Sequence, residues 1–234
     1  MNAKKTAELK LCIDGAMADR VGPVHGLSSE ELGDCLQETA RRVGEVEEER
    51  RQGQHRYREL PYDKAMLRTV SAAARRYRGK MDNLVVLGIG GSALGNIAIQ
   101  TALNSPVYNL LPRKVRRGPR LFVMDNVDPV QFGALLGLLK GELRGTLFNV
   151  ISKSGETAET AAQFLIVGEL LARRLGVTRA RERILVTTDP QRGALRGLAE
   201  KEGYESLPVP EGVGGRFSVL SAVGLFSAAM CGIN

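Results

Sequence analysis

Short, unbroken apolar runs separated by longer amphipathic stretches organise the chain from residue 84 onward. Leu84-Val85-Val86-Leu87 does not alternate between apolar and polar positions, which predicts a strand buried on both faces of a parallel sheet. Residues 121–124, 147–151, 184–187 and 206–209 predict four further strands. The spacers read as helices. One opens near Ser92, one runs from a cap at Asp128 with Pro129 behind it to Lys140, and one runs from about Glu159 to Leu175. Asp189-Pro190 repeats the cap-and-proline pair and predicts a helix to about Glu202, while residues 218–231 form an apolar helical segment. Alternating strands and helices predict an α/β fold: a doubly wound, mostly parallel sheet in a Rossmann-like three-layer sandwich.

The first part of the chain has a different pattern. Residues 1–27 show no firm period and include the turn-rich stretch 21–26. Ser28 and Glu31 have the spacing of a capping box, which predicts a long helix from Ser29 to about Glu59. Its apolar stripe is thin (Leu32, Leu36, Val43, Val46), and its Glu and Arg residues pair across turns, as on a solvated face or the cover of an interface. Leu60-Pro61-Tyr62 breaks that pattern. Asp63 then caps a helix over residues 64–77 whose apolar face is Ala65, Met66, Val70, Ala73, Ala74 and Tyr77, with Gly79 beyond its end. Residues 1–80 are thus expected to be a helical extension and residues 81–234 the sheet domain.

Composition narrows the function classes. No run of eighteen apolar residues spans a membrane, and the start, Met1-Asn2-Ala3-Lys4-Lys5, lacks the apolar core of a secretory signal, so a cytoplasmic location is expected. The isolated cysteines Cys12, Cys35 and Cys231 predict buried free thiols, and the separated His25 and His55 predict surface or structural histidines and no metal site. The net charge of +7 fits a basic surface or a preference for anionic metabolites. Aromatic residues are sparse and no nucleic-acid module is recognisable, so no nucleic-acid partner is expected. The basic segment 111–120 predicts a surface loop.

Three stretches carry candidate chemistry. Gly88-Ile89-Gly90-Gly91-Ser92 follows the first strand and opens a helix; glycines let backbone N–H groups approach an anion. It does not match the dinucleotide fingerprint, since Ala93 stands where the third glycine is expected. Ser152-Lys153-Ser154-Gly155-Glu156-Thr157 follows another strand and gathers three hydroxyls and an ammonium before a helix. Those groups suit a phosphate monoester, and they equally suit an ordinary serine-rich helix cap. Gly212-Val213-Gly214-Gly215-Arg216 is a tight loop able to hold Arg216 rigidly, where its fixed donor fork would stabilise an oxyanion.

Together these stretches resemble the glucose-6-phosphate isomerase (phosphoglucose isomerase) family. The first resembles its Gly-Ile-Gly-Gly-Ser-x-x-Gly segment and the second its Ser-Lys-Ser/Thr phosphate loop. The third, continuing as Phe217-Ser218-Val219-Leu220-Ser221-Ala222-Val223-Gly224-Leu225, is very close to a family signature. The resemblance implies a sugar-isomerase (SIS) fold with the active site between two doubly wound domains, usually in a homodimer. It implies interconversion of D-glucose 6-phosphate and D-fructose 6-phosphate, a step of glycolysis and gluconeogenesis, without a cofactor. By the same resemblance, Ser92, Ser152, Lys153, Ser154 and Thr157 hold the substrate phosphate, Gly91 backs the site, and Arg216 stabilises the cis-enediolate.

Two departures qualify the resemblance. Glu156 stands where the family usually has threonine, and a carboxylate facing phosphate would repel it. Ser-x-Ser-Gly-Glu-Thr also resembles the loop of glucosamine-6-phosphate synthase, another sugar-phosphate binder. Family members also continue for roughly as many residues again, and that continuation carries the glutamate base, a histidine and a lysine. The resemblance therefore implies an amino-terminal half, with the second SIS domain outside the chain and residues 222–226 expected to lose their cover. A non-catalytic sugar-phosphate-binding module is the alternative expectation.

Overall fold

A computed structural model of the protein describes residues 10–233. The chain divides into two compact units, Met1–Gln54 and His55–Asn234. In the first, helix α1 (Ala18–Val21) precedes α2 (Ser29–Arg51). The capping box forms as the spacing predicts: Ser28 Oγ accepts from the Glu31 N–H at 3.2 Å, and the Glu31 carboxylate accepts from the Ser28 N–H at 2.8 Å. No residue of α2 is buried, and Arg41 and Arg42 pair with Glu38 and Glu45 across its turns. The helix stops at Arg51, short of Glu59. Gly53 (φ +82°) and His55 (φ +54°) turn the chain, and residues around Pro61 form a 3-10 turn instead.

The second unit begins with α3 (Lys64–Tyr77), capped by Asp63, whose carboxylate accepts from the Met66 N–H at 2.9 Å. Then follow β1 (Asn83–Leu87), α4 (Gly91–Leu103), β2 (Arg120–Met124), α5 (Pro129–Leu139), β3 (Thr146–Ile151), α6 (Ala158–Leu175), α7 (Val177–Arg181), β4 (Ile184–Thr188), α8 (Ala194–Glu202), β5 (Glu205–Pro208) and α9 (Ala222–Met230). The strands form one sheet in the order β2-β1-β3-β4-β5, and every pair is parallel. All residues of β1, β3 and β4 are buried, as runs without alternation require.

Helices cover both faces. Leu84, Val86, Leu147, Ile151 and Leu185 pack with α3 and α9 on one side. Val85, Leu87, Phe148, Val150, Ile184 and Val186 pack with α5, α6 and α8 on the other. Helix α4 lies beside α9. The result is the three-layer α/β sandwich expected from the alternation.

Several local expectations need correction. Cys12 and Cys35 are exposed: Leu11 and Ile13 beside Cys12 are themselves exposed, and Cys35 lies on α2, which buries no residue; Cys231 is buried. Asp189 does not cap α8. Its carboxylate closes a separate turn on the N–H groups of Gln191 and Arg192, both at 2.9 Å, and α8 starts after Gly193. Helix α9 starts at Ala222, after a 3-10 turn at Gly215–Phe217, with Ser221 as its cap. Its apolar run is covered: Ala222, Val223 and Phe226 are buried in the core shared with α3. The basic segment is not wholly a surface loop, since Arg116 is only 7 % exposed.

Candidate functional site

The strand order reverses direction between β1 and β3, where open α/β sheets leave a crevice at the strands' carboxyl ends. All three candidate stretches lie there. Gly88 follows β1, and a Cβ there would fall 2.8 Å from the Ser92 Cβ and 3.2 Å from the Ile151 carbonyl oxygen, so the loop after β1 lies close against the end of β3. Gly90 takes φ +57°, a left-handed value that suits glycine, and starts α4 without a side-chain cap. Gly91 and Ser92 are half-buried in that first turn.

The loop after β3 is wrapped around Ser152, which is 3 % exposed. The Ser152 and Thr157 hydroxyls share a hydrogen bond at 3.1 Å, and the Gly155 N–H donates to Ser152 Oγ at 3.1 Å. The Glu156 N–H donates to Ser154 Oγ at 3.2 Å. Thr188, at the end of β4, donates its hydroxyl to the Ser152 carbonyl at 2.7 Å. Thr157 is the N-cap of α6, so the loop also faces the positive end of that helix. Ser154 and Glu156 are exposed.

The third loop is tied to both others. Lys153 Nζ donates to the Val213 carbonyl at 2.8 Å. A side chain at Gly91 would put its Cβ 2.3 Å from the carbonyl carbon and oxygen of Gly215 and 2.8 Å from the Arg216 nitrogen. Only glycine permits that approach. Ser218 closes the 3-10 turn by donating to the Gly215 carbonyl at 2.7 Å, and Phe217 stacks on Tyr57 with ring centroids 4.3 Å apart. Arg216 sits in this braced turn, exposed, and no hydrogen bond or ion pair engages its guanidinium among the described residues.

The geometry therefore brings the elements carrying Gly91, Ser92, Ser152, Lys153, Thr157 and Arg216 together, with Ser154 exposed on the same loop as Ser152 and Lys153. Lys153 spends one of three N–H donors on Val213, leaving two for a ligand. Asp189 lies near this cluster. Its carboxyl is held below the usual carboxylate range, mainly by the N–H groups of Gln191 and Arg192, with Arg192 and Lys153 adding their charge. Among the described residues no group of three His, Cys, Asp or Glu could hold a metal ion, and no helix is long and apolar enough to cross a membrane.

Sequence reasoning missed the Val213 carbonyl, the Thr188 hydroxyl and Gly193. A Cβ at Gly193 would fall 2.3 Å from the Ser154 carbonyl oxygen, so this glycine lets the loop lie against the start of α8. A local signal existed only for Thr188, a polar residue ending a buried apolar strand.

Residues 64–234 match the family model described as Phosphoglucose isomerase. The chain belongs to the phosphoglucose isomerase family. A glucose-6-phosphate isomerase of Carboxydothermus hydrogenoformans is 45 % identical over 190 residues, which is 81 % of this chain and 40 % of that protein. One from Rubrobacter xylanophilus is 45 % identical over 176 residues, 75 % of this chain and 40 % of the relative. The crystal structure of a Thermus thermophilus protein described as hypothetical aligns with TM-score 0.70 at 36 % identity, covering 84 % of this chain and 46 % of the other. That of a glucose-6-phosphate isomerase from Chlamydia trachomatis aligns with TM-score 0.58 at 28 % identity, covering 73 % and 30 %. The chain thus spans about two fifths of the length of the phosphoglucose isomerase relatives it matches.

Proposed function

We propose that this chain supplies the phosphate-binding and oxyanion-stabilising part of an aldose–ketose isomerase acting on glucose 6-phosphate and fructose 6-phosphate. The observation that carries this reading is the junction of the three loops, linked by the Lys153–Val213 hydrogen bond and the close approach of Gly91 to Gly215. In this reading the hydroxyls of Ser92, Ser152, Ser154 and Thr157 and the Lys153 ammonium hold the phosphate, with the Gly91 N–H at the start of α4, since the Ser92, Ala93 and Leu94 N–H groups already donate to the Ile89 and Gly90 carbonyls. Gly91 backs the site and keeps the Arg216 turn close to it.

Isomerisation moves a proton between adjacent carbons through an enediolate whose oxygen carries negative charge. A guanidinium carried on a braced turn is placed close to that charge and offers it a fixed donor fork. The proton itself needs a base within hydrogen-bond reach. Family resemblance assigns that base to a following domain, with residues 81–234 as the first sugar-isomerase domain, residues 1–80 as a helical extension, and a homodimer as the assembly.

A second reading, sugar-phosphate binding without turnover, draws on the location of the donor cluster within this one sheet domain. Both readings expect this chain alone to bind fructose 6-phosphate in calorimetry, and absence of that binding removes the sugar-phosphate reading. A coupled assay on this chain joined to the carboxyl-terminal half of a phosphoglucose isomerase relative separates them: fructose 6-phosphate is supplied and glucose 6-phosphate is read out, with Arg216→Ala alongside. Turnover lost with Arg216→Ala supports the isomerase, binding without turnover in the joined chain supports the binding module, and turnover by this chain alone overturns the assignment of the base to a following domain.

A further inference from the structure

The opposite end of the sheet holds a second polar cleft of about 640 Å³, at the amino-terminal ends of β1, β2 and β3. Arg113, Arg116, Arg120 and Arg144 line it, against the carboxylates of Asp82 and Glu142. Two of the arginines are paired with a carboxylate and hydrogen-bonded to further acceptors. Arg113 pairs with Asp82 at 3.3 Å and donates to the carbonyls of Met81 and Arg78 at 2.6 and 3.0 Å. Arg120 donates to Asn83 Oδ1 at 2.7 Å and pairs with Glu142.

Arg116 differs. It is 7 % exposed, and neither its Nε nor its Nη1 has a hydrogen-bond partner among the described residues. Burial holds its pKa below the ordinary guanidinium range, and the charges of Arg120 and Arg113 push the same way, only partly opposed by Tyr108 and Asp82. Arginine does not escape by losing its proton. A buried cation without a hydrogen-bonded partner is costly; its Nε and Nη1 are shut off from the cleft, so an anion there would offset the delocalised charge through the part of the guanidinium that is not buried.

We propose that this cleft binds a phosphate-bearing anion, with Arg116 as its central ligand. The charge balance favours phosphate over a carboxylate: four arginines face two carboxylates, leaving an excess that matches a dianion. Arg113 and Arg120, each held by its own acceptors, form rigid walls. This site is separate from the proposed substrate site, which lies at the carboxyl ends of the strands.

The test uses the whole chain in a Lys153→Met background, which weakens phosphate binding at the substrate site. Calorimetric titration with inorganic phosphate should show binding in K153M and at least a tenfold loss in the K153M/R116M double variant. Arg116→Lys in that background should retain weaker binding, since it keeps the charge on a shorter and more strongly hydrated side chain. In phosphate-free buffer Arg116→Met should match or exceed the urea midpoint of the parent, because it removes an unpaired buried charge. Equal phosphate affinity in K153M and K153M/R116M would overturn the proposal, as would a marked drop in the R116M midpoint, which would show that Arg116 is already partnered. Glycerol 3-phosphate identifies the source: tighter binding than inorganic phosphate assigns the site to a phosphorylated metabolite, and equal binding assigns it to the free anion.

Discussion

Gly91→Ala isolates the contact on which the candidate site depends. The added Cβ would sit 2.3 Å from the Gly215 carbonyl carbon and oxygen and 2.8 Å from the Arg216 nitrogen. Ordinary carbon contacts lie near 3.5 Å, so the two loops must separate by about 1.2 Å. Both obstacles are backbone, so no side chain can rotate away. Overpacking of this kind costs about 1–3 kcal/mol. With a urea slope of about 2 kcal/mol/M, that lowers the unfolding midpoint by roughly 0.5–1.5 M. The displaced turn carries Arg216, and a misplacement of about 1 Å can cost roughly 10²-fold in a positioned reaction. Gly137→Ala is the control. It lies exposed in α5 with nothing within 4 Å of the new Cβ, and should gain about 0.5–1 kcal/mol through helix propensity. Urea unfolding by circular dichroism measures stability, and fructose 6-phosphate titration measures the site. A Gly91→Ala midpoint equal to that of the parent would refute the close approach of the loops.

Phe226 is fully buried and meets Tyr77 edge-on at 6.3 Å, so Phe226→Ala should cost about 3–5 kcal/mol in urea unfolding; a loss under about 1 kcal/mol would show that α9 does not pack on α3. Thiol titration near pH 8 should label Cys12 and Cys35 rapidly and Cys231 only on unfolding, since burial pushes the Cys231 thiol up to about 12; three fast thiols would contradict its burial. Glu142 accepts from Asn83 at 2.9 Å, and this bond, with Arg120 nearby, holds its folded pKa below the ordinary value. Its contribution is therefore complete above the unfolded pKa of about 4.3 and fades as pH falls through the folded value. Glu142→Gln should flatten the decline of stability over that acid range, and an unchanged slope would count against the interaction.

The sheet was legible in the sequence because its central strands are buried on both faces and show no alternation, so Leu84-Val85-Val86-Leu87 can be read without knowing its neighbours. The caps at Ser28, Asp63 and Asp128 were legible for a similar reason: each is a contact within three residues. Features that depend on distant chain were not. The start of α8 is displaced because Gly193 lies against Ser154, far away in sequence. Arg116 looks like any arginine of a basic loop until the fold draws residues 78–82 and 142–145 around that loop. The apolar neighbours of Cys12 suggested burial but leave it exposed, because local hydrophobicity does not place a segment in the core. In the candidate site, residue types were readable, whereas the bond from Lys153 to the Val213 carbonyl carries no side-chain signal at Val213.

Why the three loops meet follows from the winding. The connection from β1 to β2 passes through α4 on the α9 side, and the later connections pass through α5, α6 and α8 on the opposite face. Right-handed crossovers require this change of face when the strand order reverses. The amino ends of α4 and α6 consequently flank one crevice from opposite sides, and both helix dipoles favour negative charge there. The chain leaving β5 then returns across the strand ends. Val209 N–H bonds the Thr188 carbonyl at 2.8 Å, the Val213 carbonyl meets Lys153, and Gly215 reaches Gly91. Lys153 therefore has two roles that topology makes inseparable: it brings positive charge to the crevice and fastens the segment that carries Arg216. An arginine on a free surface loop would lose backbone as well as side-chain entropy on engaging an anion; one whose backbone is fastened across three strand ends has only the side-chain part left to lose.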